Sequence, residues 1–276
     1  MSDDHVYLSL AEVSPEGDTR WAFGTGFEDP LHGVDTAVPE GVDAGELAAQ
    51  CVALADDALV GAQRLAEWIT RAPELEEEVA LANIGLDLLG QARLLYTRAG
   101  QADGTGRDED AYAYFRDSAD FRNVTLAELP GGDFAFTVVR LLVLSSWRLA
   151  YFRRLTGHPD PVLAAVAAKG VKELTYHRQY AAQWCVRLGD GTDESHRRMR
   201  AALEQVAPYL GELHAAHDVR DEVADDLRQV TGAAGLALPV HRPLPGRGRA
   251  GEHTEHLAPL LTELQGVARA HPGATW

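Results

Sequence analysis

The stretch 73–98, PELEEEVALANIGLDLLGQARLLYTR, decides the fold. Its apolar residues fall on two interleaved helical stripes. Leu75, Val79, Ala82, Leu86 and Leu89 recur at steps of four and three, and Leu81, Gly85, Leu88, Ala92 and Leu95 repeat the pattern on the adjoining flank. Proline suits a first helical turn, where its missing N–H would have no partner, and Glu74, Glu76, Glu77 and Glu78 meet the positive end of the helix dipole. The stretch predicts one helix of 26 residues, apolar over most of its circumference and buried on several sides. Only Asn83, Asp87 and Gln91, spaced four apart, form a polar stripe on it.

Before it, Leu47, Cys51, Leu54, Ala58, Gly61, Leu65 and Trp68 predict a helix over 46–70, and the short turn at Ala72 and Pro73 makes the two antiparallel. After a break at 100–106, a shorter helix is expected over 108–121. Asp133 is placed to cap a long helix over 134–155. A second long helix over 162–188 has the cleanest stripe of the chain, from Leu163 through Leu174, His177 and Ala181 to Leu188. Thr192 or Asp193 caps a further helix that Pro208 should kink, and short helices follow near 219–230 and 254–270. The architecture expected is all-α: a four-helix bundle with short satellite helices, with a crossover between its second and third helices.

The hydrophobic fraction of 46% over 276 residues suffices for a large core, and Ala and Leu dominate it. The net charge of −17 is uneven, because residues 1–45 hold ten carboxylates and one basic residue, Arg20. Residues 1–45 therefore read as an acidic, flexible extension ahead of one helical domain over 46–276. No basic face exists to displace counterions from phosphates, which argues against nucleic acid. With no leader pattern and no stretch approaching the roughly 18 apolar residues of a membrane span, a cytoplasmic protein is expected. Cys51 and Cys185 both fall on apolar helix faces and read as reduced core residues.

Bundles of this size often house carboxylate-bridged di-iron centres, which need a Glu from each of two helices and a Glu-x-x-His pair from each of the other two. Here Gln91 is preceded three residues earlier by Leu88, and His177 by Leu174, so leucine stands where each pair needs its carboxylate. The span 134–159 contains no Asp or Glu at all. The first helix offers Asp56, Asp57 and Glu67, but one helix cannot assemble a two-metal site. His177, inside an apolar stripe, is either a core histidine bonded to Glu173 a turn earlier or a polar partner of Asp87 or Gln91 across the bundle. The stripe of Asn83, Asp87 and Gln91 is either a solvated face or an interior polar network.

Nucleophile, phosphate-loop, dinucleotide and dithiol motifs are absent. His253 and His256 are too little for a zinc site, and Thr254 reads as a helix cap. Arg242, Arg247, Arg249 and His253 form the one local cationic cluster. It is either a solvated loop or an anchor for a partner's carboxylates or a ligand's phosphate.

Three stretches carry a resemblance: APELEEEVALANIGLDLLGQARLLY from Ala72, KELTYHRQYAAQWCVRLGDGTDESHRRM from Lys172 and GRGRAGEHTEHLAPLLTELQ from Gly246. Together they resemble the C subunits of bacterial ring-1,2-phenylacetyl-CoA epoxidases, over about 54–276 and in order. The resemblance implies a ferritin-like fold and a non-catalytic, structural role beside a homologous catalytic subunit that holds the di-iron centre. It implies NADPH, FAD and an iron–sulfur cluster in a separate reductase, further small subunits, and no cofactor in this chain. It makes Leu88, Gln91, Leu174 and His177 degenerate metal-site positions. Ser145 departs from the acidic residue expected there in some C subunits. The competing expectations are a metal-binding oxygenase in its own right and an assembly or ligand-binding module contacting coenzyme A through the 242–253 loop.

Overall fold

The computed structural model describes residues 31–274 except 241 and 245. The greater part of the expected extension, residues 1–30, lies outside the described residues. Of the unit ending at Gly33 only 31–33 are described, and they turn; from Val34 onward the chain is a second unit.

Four long helices build that unit: α1 (Ala44–Ala66), α2 (Leu75–Ala102), α5 (Phe134–Leu155) and α6 (Pro161–Gly189). Between α2 and α5 the crossover contains α3 (Glu109–Tyr114), a 3-10 turn (Ser118–Asp120) and α4 (Thr125–Glu128). After α6 come α7 (Asp193–Val206), α8 (Leu210–Ala216), α9 (Arg220–Ala233) and α10 (Leu257–Ala270). The fold is all-α and ferritin-like, with α1 packed on α2, α5 on α6, and the pairs meeting along α2 and α6. Among the described residues there is no strand, only an isolated bridge between Arg247 and Glu252.

Short acceptors start the helices. Asp43, Asp133 and Asp160 accept from the backbone N–H of Glu46, Phe136 and Leu163 at 2.8, 2.9 and 2.8 Å, satisfying donors that have no intrahelical partner. Thr192 caps α7 through Ser195 N at 3.1 Å, and Pro208 falls in the 3-10 turn Ala207–Tyr209 that separates α7 from α8. Thr254 does not cap α10 in the expected way. That helix begins only at Leu257, and Thr254 Oγ1 accepts from His256 N at 3.3 Å.

Two features of α2 differ from the sequence reading. Its N-cap is Glu74, in extended conformation, so Pro73 precedes the helix. The helix also continues through Gly100 to Ala102. The 106–107 segment crosses it there, and a Cβ on Gly100 would lie 2.0 Å from the Arg107 carbonyl oxygen. Glycine thus marks a crossing, not a helix end. The two apolar stripes also separate. Leu81, Leu88, Ala92 and Leu95 are buried, whereas Leu75, Val79 and Leu86 are 70%, 52% and 63% exposed. The expectation of burial on several sides fails for that outer stripe, because the described helices that pack most closely on α2 are α1 and, to a lesser degree, α6 and α3.

α5 is long and apolar enough to cross a membrane, which the sequence reading expected of no stretch; most of it is buried in the bundle. Cys51 and Cys185 are buried free thiols whose pKa burial pushes up to about 12.

A buried ion pair locks the far end of α2. Arg98 donates from Nε to Asp160 Oδ1 at 3.1 Å and pairs through Nη2 with the other oxygen, both side chains being fully buried. Its Nη1 reaches the carbonyl of Thr36 at 2.6 Å. Removing one member of such a pair strands the other charge, so Arg98→Met is expected to destabilise the protein by about 3–5 kcal/mol in urea titration; a loss under about 1 kcal/mol would contradict this. A second outcome concerns His217, stacked between Trp147 and Tyr151. Burial, then the charges of Arg249 and Arg148, push its pKa down from 6.5 to about 3. The unfolded chain therefore binds a proton there that the folded chain refuses, so stability falls as pH drops from 6.5 toward 3. Thermal unfolding across that range should show a shallower acid loss for His217→Phe than for wild type.

Candidate functional site

The interior face shared by α1, α2, α5 and α6 gathers the polar side chains that these apolar helices carry. His177, on α6 and 1% exposed, places Nε2 3.0 Å from Asp87 Oδ2 on α2. With the carboxylate as acceptor, Nε2 carries the proton. Gln91, also 1% exposed, donates from Nε2 to Glu173 Oε2 at 2.9 Å and accepts from Arg148 Nη2 at 2.9 Å. Lys169 pairs with the other oxygen of Glu173. Arg148, from α5, continues to the Leu54 carbonyl on α1 at 3.1 Å and lies 3.7 Å from Asp57 Oδ2. One polar chain thus crosses all four helices. Asn83 is outside it, exposed to solvent, because its position on α2 turns away from α6. His177 bonds across the bundle to Asp87, and Glu173 is taken by Gln91 and Lys169.

Beside this chain lies a cavity of about 30 Å³ whose walls include Leu88, Leu174, Ser145, His177, Arg140 and Arg148, with Asp57 and Arg64. Leu88, Leu174 and His177 face the same cavity, and Gln91 stands next to it. The donors here do not suit two hard cations, which take oxygen ligands, carboxylates above all. Asp57 is the one carboxylate on the wall. It is consumed by Val124 N at 2.9 Å and by Arg249 Nη1 and Nη2 at 3.2 and 2.7 Å. Three guanidinium groups would repel a metal. Among the described residues, the one group of three acidic side chains close enough to share an ion is Glu74, Glu76 and Glu77 at the start of α2.

The cationic cluster of the 242–253 loop separates in the same way. Arg249 turns inward to Asp57 and to the carbonyls of Ala53 and Arg122. His253 places Nδ1 2.9 Å from Glu128 Oε2 and Nε2 3.0 Å from the Phe121 carbonyl oxygen. Burial opposes charge on His253, but those bonds outweigh it and hold the pKa above the usual value. Arg247 pairs with Glu252 at 3.0 Å on the surface, and Arg242 is exposed. The four residues therefore present no common patch, since two of them neutralise buried carboxylates.

Sequence reasoning missed Arg64, Arg140 and Arg148, and the buried acids Glu128 and Glu212. The signal was available: Arg140 and Arg148 are cations, eight residues apart, in the middle of an otherwise apolar helix that lacks any acid. Such positions are filled only when partners exist on neighbouring elements. Equally informative is the outer stripe of α2, where Leu75, Val79, Leu86 and Leu89 line one side of a surface helix beside exposed Ile69. Rows of large exposed aliphatic side chains mark surfaces that meet another protein.

Comparison with known proteins bears out the family resemblance of the sequence. The chain is 40% identical over 247 residues to the C subunit of the 1,2-phenylacetyl-CoA epoxidase of Escherichia coli (strain K12), an alignment covering 84% of this chain and 99% of that protein. Residues 35–276 match the family described as phenylacetic acid catabolic protein. This chain belongs to the phenylacetic acid catabolic protein family.

Proposed function

We propose that this chain is the structural, non-catalytic subunit of a multicomponent phenylacetyl-CoA 1,2-epoxidase, pairing with a homologous subunit that carries the di-iron centre. Its family gives it a role in phenylacetate catabolism. The observation that carries the finer reading is the cavity at Leu88, Leu174 and His177. Its lone carboxylate is spent on arginines, so the positions that would ligate iron instead hold helices together. The outer stripe of α2 supports the pairing, since Leu75, Val79, Leu86 and Leu89 supply an apolar helical face for a partner's helices. In this reading NADPH, FAD and an iron–sulfur cluster belong to a separate reductase, smaller subunits complete the complex, and the assembly works in the cytoplasm.

Co-expression with the presumed catalytic subunit tests the pairing. The double variant Leu75→Glu with Leu86→Glu changes exposed positions, so the chain alone should keep its unfolding temperature. Its co-purification should fall about tenfold or more, as expected when two interface side chains lose over 1.4 kcal/mol of binding between them. Unchanged recovery of the complex would rule out this face. After anaerobic iron loading, the isolated chain should retain far less than one iron per molecule. Stoichiometric iron, or full epoxidation by a complex reconstituted without this chain, would refute the structural role.

A further inference from the structure

The cavity between the four long helices is surrounded by more positive than negative charge. Arg64, Arg140 and Arg148 line it, against the single carboxylate of Asp57. Arg64 has Glu67 for a counter-charge, and Asp57 is saturated by Arg249 and a backbone N–H. Arg140 is 3% exposed, and the bonds it makes go to the carbonyls of Leu129 and Pro130, not to any described carboxylate. Arg148 is 4% exposed, its one ion-pair contact is the distant Asp57 at 3.7 Å, already shared with Arg249, and its Nε has no partner. Burial lowers both guanidinium groups only to about 10, so they remain charged at neutral pH. A buried cation without a counter-charge is costly, and a guanidinium with a free N–H is a ready donor to an anion.

We propose that this cavity binds a small monovalent anion of halide size, seated against Arg148 and Arg140. The space of about 30 Å³ admits about two water-sized occupants, so it excludes phosphate groups and organic metabolites. The mixed wall suits a weakly hydrated ion, since it combines guanidinium groups with Leu65, Leu88, Leu141 and Leu174. A single water beside the ion serves His177 Nδ1, an acceptor left without a partner when Nε2 is turned to Asp87. Occupancy does not depend on the pairing proposed above, because every wall residue belongs to this chain.

The full-length chain, purified in sodium gluconate and titrated with sodium chloride or bromide at constant ionic strength, provides the test. Halide is expected to raise the unfolding temperature saturably, by about 2–4 °C once it exceeds its Kd several-fold. Crystals grown in bromide should give an anomalous peak inside the cavity beside Arg148. Ser145→Asp places a fixed carboxylate on the same wall and should abolish the halide response. If that variant does not fold, Arg140→Met should weaken the response at least tenfold in midpoint. No halide-specific rise together with no anomalous peak in the wild-type cavity overturns the proposal. So does a halide response that the wall variant leaves unchanged.

Discussion

Asp56 and Asp57 are neighbours in the middle of α1, both buried, and consecutive helical residues point about 100° apart. Their carboxylates therefore serve different parts of the chain. Asp56 takes Arg116 Nη1 at 3.2 Å and the Arg122 backbone N–H at 2.7 Å, which pins the crossover onto the bundle. Burial pushes its pKa upward, and the charge of Arg116 works against that shift. Asp57 takes Val124 N, Arg249 from the C-terminal loop and, more distantly, Arg148 from α5. Buried carboxylates without partners would be untenable. The partners come from the crossover, from the C-terminal loop and from α5, so each carboxylate ties a distant segment to α1.

The same logic extends to two acids on short elements. Glu212 accepts from Thr125 N at 2.9 Å and Gly248 N at 2.8 Å, and Glu128 from Thr254 N at 2.6 Å and Asn123 Nδ2 at 3.0 Å. Three of the four donors are main-chain N–H groups, and those of Gly248 and Thr254 join the 246–254 loop to Glu212 on α8 and to Glu128 in the crossover. Gly248 is where that contact is closest, since a Cβ there would lie 2.0 Å from the Asn123 carbonyl oxygen. Helix packing builds the bundle and seats α7 and α9 on it, and buried carboxylates add the ties that hold the crossover and the 246–254 loop.

This division explains what could be read from the sequence. The long helices announce themselves through period and caps, and Asp133 sits where its side chain was expected to act. Whether Asp87 faced solvent or His177 was not legible, because both flanks of α2 carry the same apolar spacing. What orients the helix is residue size. A Cβ added at Gly61 would lie 3.6 Å from Leu88, one at Gly85 3.7 Å from the Ala62 carbonyl oxygen, and one at Gly170 would clash with the Phe152 ring at 2.6 Å. The flank with the small residues faces inward, because only there do backbones approach closely. The buried ion pairs were illegible for another reason. Asp57 and Arg249 are 192 residues apart, and charge spacing informs only within a helix turn or two.

A metal held by four helices couples them through ligand bonds; an ion-pair chain couples them through partners that must each be desolvated. The second arrangement contributes less net stability but fixes register, since every charge has one place where it is satisfied. α5 cannot donate a carboxylate, yet Arg148 is long enough to reach the Leu54 carbonyl on α1, so a helix unsuited to metal ligation helps to join the two helix pairs. Interior order of this kind leaves the outer stripe of α2 unexplained from within. Leu75, Val79, Leu86 and Leu89 stay 37% to 70% exposed, so the chain's own packing covers them only in part. A row of that kind suits contact with another protein, which is the use the proposed pairing makes of it.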